Sequence, residues 1–156
     1  MCAIEPGSLF PRLPWHCLRH PQLGPISGQT GGSFVVPRIG ETSTNVFYRI
    51  TLVVTDSGGL QHTSSVDVLP RTVNITLASD NGLTLMLDGQ PVSGRLTIPA
   101  VVGMDRTIGA PSPQTLSSNR IFVFASWSDG GAQTHTIRVP AGNSTYTANF
   151  TRTKGR

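Results

Sequence analysis

The sequence predicts an all-β protein built from antiparallel sandwich units, and three observations carry that prediction. Charged residues make up 13% of the 156, while Gly (17) and Pro (12) are abundant, a balance that suits short strands and many turns rather than helices. Apolar residues recur at every second position in several stretches, the period of a strand with one covered face. Groups of turn formers separate those stretches: Asp56-Ser57-Gly58-Gly59, Asp88-Gly89 and Ser128-Asp129-Gly130-Gly131.

Residues 1–27 follow neither period. Pro6, Pro11, Pro14, Pro21 and Pro25 interrupt the stretch, and proline removes a backbone donor and fixes φ, so an irregular arm is expected. Residues 28–70 are read as a partial β-unit ending in a hairpin. In it Val46, Tyr48, Ile50, Leu52 and Val54 share one face with Val66 and Val68, while Arg49, Thr51 and Thr55 take the other. The face is expected to be half-buried. A unit lacking earlier strands leaves this hairpin an unpaired edge and a half-covered apolar face, and pairing with a second copy would bury both, so a homodimer through that edge is expected.

Residues 71–152 are read as a compact sandwich unit of six or seven short strands. Alternation marks strands around Val73–Leu77, Leu83–Leu87, Leu96–Ile98, Arg106–Ile108, Ile137–Val139 and Tyr146–Phe150. Arg120–Trp127 is apolar on both faces, which predicts a central strand. Residues 153–156 form a short basic tail. The net charge of +4 is mild and partly confined to that tail, which argues against a nucleic-acid partner. No apolar run reaches the ~18 residues of a membrane helix, so no membrane partner is expected. No stretch has the charged start, apolar centre and cleavage site of a leader peptide.

The run Tyr48-Arg-Ile-Thr-Leu-Val-Val-Thr-Asp-Ser-Gly-Gly59 resembles the closing strands of PKD or fibronectin-like domains. The later run Phe124, Trp127, Ser128, Asp129 and Gly130, followed by His135-Thr-Ile137 and Thr145–Phe150, is similar to the Trp-Ser-Asp-Gly repeats of bacterial surface and secreted proteins. Together they resemble the accessory C-terminal region of secreted glucose/sorbosone dehydrogenase-type proteins. The resemblance implies an extracellular or cell-surface origin and attachment or targeting work beside a catalytic domain. It carries no dehydrogenase motif onto these residues.

Candidate chemistry falls into four groups. Asp56-Ser57-Gly58-Gly59 resembles the nucleophile loop of trypsin-like proteases, with His62 close in sequence, yet a hairpin turn accounts for the same residues. Cys2, His16, Cys17 and His20 lack the spacing of a structural zinc site and lie in the arm. Asp56, Asp80, Asp105 and Asp129 occupy expected turns, and a calcium site would have to be assembled from those separate loops. Trp127 and Tyr146 are the candidate sugar-binding rings, weighed against packing in the core.

The leading expectation is therefore a non-catalytic accessory or carbohydrate-associated binding module, with a carbohydrate or small molecule as its ligand. The alternative is a small calcium- or other metal-dependent hydrolase of an ester, lactone or glycoside, drawing on Asp56, Asp80, Asp105, Asp129, His62 and His135. A structural spacer is the third reading.

Overall fold

A computed structural model describes residues 23–116 and 120–154. The expected arm, with Cys2, His16, Cys17 and His20, lies almost wholly outside the described residues. The chain divides into two compact units, one holding residues 43–71 with the N-terminal segment to Val36, the other holding residues 37–42 with 72–156.

The first unit contains one antiparallel hairpin, β1 (Tyr48–Thr55) and β2 (Gln61–Val68). Its register sets Tyr48 opposite Val68, Ile50 opposite Val66, Leu52 opposite Ser64 and Val54 opposite His62. Directly opposed residues point to the same side, so these eight form one face. Arg49 opposite Asp67 and Thr51 opposite Ser65 lie on the other, where the Arg49 guanidinium donates to both Asp67 oxygens at 2.6 and 2.7 Å. Asp56 makes the turn: its backbone N–H donates to the Leu60 carbonyl, and its Oδ1 accepts from the N–H groups of Gly58 and Leu60. The amphipathic face is as expected, but its cover is not. Leu52 is 60% exposed and Val66 58% exposed, because no second layer packs on them among the described residues.

The second unit is a two-sheet sandwich of nine strands, more than the six or seven expected. They are β3 (Thr72–Ser79), β4 (Thr84–Leu87), β5 (Gln90–Ser93), β6 (Arg95–Val101), β7 (Asp105–Gly109), β8 (Gln114–Leu116), β9 (Arg120–Trp127), β10 (Thr134–Arg138) and β11 (Ser144–Lys154). Two of them, β5 and β8, are short and nearly free of alternating apolar residues, so periodicity does not reveal them. One sheet has the order β10-β7-β4-β5 and the other β6-β3-β11-β9-β8. All neighbours are antiparallel except β3 and β11, which run parallel with Leu77 beside Tyr146. The expected tail residues Thr153 and Lys154 belong to β11.

The inward residues of both sheets meet in one core. Leu77, Trp127 and Ala148 come from the five-stranded sheet, and Leu85, Leu87, Ile108 and Ile137 from the four-stranded one. A smaller cluster of Ile75, Ala100 and Val139 extends it. The expected central strand, β9, is instead next to last, between β11 and the short edge strand β8. Its outward Val123 is consequently at the surface. The centre is taken by β11, the longest strand, with a bulge between Asn149 and Phe150 that steps its register against β9.

Candidate functional site

A cluster of polar contacts in the sandwich unit lies in the connection from β9 to β10. Trp127 ends β9 with its ring in the core, only 2% exposed. Its indole N–H donates to the Gln133 carbonyl at 3.1 Å, and Phe124 and His135 lie against it with ring centroids 6.3 and 6.0 Å away. The chain then reverses over Ser128 and Asp129, where the Gly130 N–H donates back to the Trp127 carbonyl. Gly130 has φ of +78°, a conformation glycine adopts without a Cβ penalty. Ser128 ties the turn to β11 by donating its N–H to the Thr147 carbonyl and accepting the Thr147 N–H on its hydroxyl.

Asp129 is held twice. Oδ1 accepts from the Gly131 N–H at 3.1 Å, and Oδ2 lies 3.0 Å from His135 Nε2. The other ring nitrogen, Nδ1, lies 2.7 Å from the Ala132 carbonyl. A carbonyl only accepts, so that contact requires a proton on Nδ1. Both ring nitrogens thus face acceptors. The opposing influences on Asp129 leave its carboxyl below the usual range: partial desolvation pushes it up, but the bond to His135, the Gly131 N–H and the His135 charge outweigh this. Tyr146 on β11 shifts the other way, upward, through desolvation first and the Asp129 charge second. It remains a neutral phenol at neutral pH and offers no base.

Gly131 completes the fit. A Cβ at this position would overlap the His135 ring, so the imidazole occupies the space a side chain would need. In chemical terms, this is an imidazole and a carboxylate spent on each other and on backbone groups. To abstract a proton from a substrate, His135 would first have to give up one of its two bonds.

Each remaining candidate has a setting within its own unit. Asp56, Ser57 and His62 belong to the hairpin unit, where Asp56 serves the turn and His62 stands opposite Val54. Asp80 sits in the 3-10 turn Asp80–Gly82. Asp105 starts β7 and pairs with Arg138 at 3.5 Å. Among the described residues no three of His, Cys, Asp or Glu come together as metal ligands. Trp127 was a candidate sugar platform, and its burial removes the exposed face that stacking on a sugar needs. Tyr146 is half-buried against the core.

One polar cluster was not anticipated as a unit. Asp88, in the expected Asp88-Gly89 turn, accepts from Arg106 Nε and from the Thr107 N–H. Arg106 itself is buried. The turn was legible from Asp-Gly, but the buried arginine was not, since a lone Arg on a strand reads as solvated.

Among the described residues no buried side-chain nitrogen or oxygen lacks a partner, and none of their helices is long and apolar enough to cross a membrane. Comparison with protein-family models, with curated proteins and with solved structures gave no match.

Proposed function

We propose that this chain is a non-catalytic accessory module of a protein working outside the cell, and that its sandwich unit contacts carbohydrate. The observation that carries the reading is the closure of the Asp129–His135 arrangement. Its donors and acceptors are paired within one turn, which suits a brace and not a reacting group. With Trp127 in the core, ligand contact moves to the outward face of β11. There Thr145, Thr147, Asn149, Thr151 and Thr153 alternate with inward Tyr146, Ala148 and Phe150. Asn149 donates to the hydroxyl of Ser126 on β9, and Thr151 and Thr153 donate to carbonyls of the same strand. An uncharged row of hydroxyls and amides provides both donors and acceptors, the chemistry that sugar hydroxyls require.

The test is retention of the purified chain on insoluble polysaccharides, set beside a screen of chromogenic esters, lactones and glycosides with chelator and with calcium. Retention that is lost in a Thr147→Glu, Thr151→Glu double variant supports the reading. Turnover that depends on calcium would replace it with the hydrolase. Neither retention nor turnover would leave a spacer.

A further inference from the structure

Three Asn-x-Ser/Thr runs lie in the sequence: Asn74-Ile75-Thr76, Asn143-Ser144-Thr145 and Asn149-Phe150-Thr151. The pattern is the acceptor motif for N-linked sugar, in which the asparagine Nδ2 reacts while the transferase holds the hydroxyl two residues on. Three residues make a short pattern, and by itself it selects none of the three. The fold separates them. On a folded chain the reaction needs an Nδ2 free of partners and a reachable hydroxyl two residues later.

Two of the runs fail that requirement. Thr76 is only 7% exposed, and its Oγ1 lies 2.8 Å from the Oγ1 of Thr97. Asn149 stands within β11, where its Nδ2 donates to the Ser126 hydroxyl, and Thr151 donates its own hydroxyl to the Val123 carbonyl. Both groups that the transferase needs are thus turned onto β9. Asn143 meets the requirement. It lies in the connection before β11 and is exposed, as is Thr145. Among the described residues neither the Asn143 Nδ2 nor the Thr145 hydroxyl makes a hydrogen bond. The Asn143 Oδ1 accepts the Asn74 N–H at 2.8 Å. An N–H needs an acceptor, so this bond fixes which way round the amide lies and turns Nδ2 away from that N–H. Beside it, a Cβ on Gly142 would meet nothing within 4 Å. A sugar on Nδ2 leaves Oδ1 and its bond in place, so the contact that holds the connection to β3 survives.

We infer that Asn143 is a site of N-glycosylation, modified on the folded chain. Nδ2 bonds to C1 of a sugar supplied as a diphosphate ester, either nucleotide-linked or lipid-linked. The C1–O bond breaks, the diphosphate leaves with its electron pair, and Nδ2 gives up one proton. The sugar is attached covalently to the connection before β11, so the inference stands apart from the proposed contact of the β11 face with carbohydrate.

The test uses the folded full chain, made in a host that lacks N-glycosylation. It is incubated with transferases specific for Asn-x-Ser/Thr, one using a nucleotide-activated hexose and the other a lipid-diphosphate oligosaccharide. Mass spectrometry of the intact chain should show a single glycan added from at least one donor, and the donor that works identifies the source. Fragmentation of the tryptic peptide 139–152, which carries both Asn143 and Asn149, should place it on Asn143. Asn143→Gln and, separately, Thr145→Ala should each abolish incorporation. Thr145→Ala keeps the Asn143 amide and its bond to β3, so it removes the hydroxyl alone. Asn74→Gln should leave incorporation unchanged. A folded chain that takes no sugar from either donor overturns the inference. So does sugar placed mainly on Asn74 or Asn149, or incorporation that survives Asn143→Gln or Thr145→Ala.

Discussion

Trp127 shows how one residue changes role with its surroundings. An indole at a strand end could face a ligand, but its N–H is taken by the Gln133 carbonyl and its ring by Phe124 and His135. Truncation to Ala should cost about 3–5 kcal/mol, the range for large aromatic residues lost from a core, read as a fall in the thermal midpoint. Gly131 gives a finer test. Gly131→Ala forces the new methyl onto the His135 ring and should destabilise by about 1–3 kcal/mol, whereas in a His135→Ala background the penalty should largely vanish. Denaturant unfolding of the four chains in this cycle measures the coupling. Asp129 adds a pH dependence. Its folded-state carboxyl titrates below the ordinary value, so its contribution is fully present above about pH 4 and is lost as the pH falls through the lower folded value. The stability gap between the parent chain and Asp129→Asn, about 1 kcal/mol at most for a partly exposed pair, should therefore close on acidification.

At the scale of elements, the turns of the two units are held by the same device, a carboxylate accepting backbone N–H groups. Asp56 does this in the β1–β2 hairpin and Asp129 in the β9–β10 connection, whereas Asp88, in the β4–β5 connection where it and Gly89 take φ of +48° and +79°, a pair of left-handed residues typical of tight hairpins, accepts the Thr107 N–H of β7. Asp56→Ala should cost about 1 kcal/mol per lost bond at most. The loss should appear as faster amide exchange along β1 and β2, with unfolding of the sandwich unit unaltered. Asp88 carries more, because Arg106 beneath it is buried. Asp88→Asn keeps the turn but leaves a buried guanidinium without its counter-charge, and should cost about 3 kcal/mol. Adding Arg106→Met removes the stranded charge and should restore most of the loss, measured by thermal unfolding.

Across the whole molecule, the all-β class, the hairpin with its two chemical faces and the Asp-Gly and Ser-Asp-Gly-Gly turns were all legible in the sequence. Each is a local property: a period of two assigns the faces of a strand, and glycine and aspartate mark where the chain can take positive φ. Even the inward set of the sandwich, Leu77, Leu85, Leu87, Ile137 and Ala148, follows from alternation. Other features depended on partners distant in the chain. The parallel pairing of β3 with β11 joins residues nearly seventy positions apart in register, such as Leu77 and Tyr146, and no local pattern encodes which strand lies beside which. For the same reason β9 reads as central but lies one strand from an edge. The candidate site divides likewise: Asp129 was legible as a turn residue, whereas the turn's return path set His135 against it. Thus the sequence by itself determined the class, the faces and the turns of this protein, because those rest on neighbours along the chain. The tertiary structure alone decided that Trp127 is core, that the acidic residues serve separate turns and pairs, and that the hairpin's apolar side chains are exposed among the described residues, because burial and convergence depend on what packs opposite.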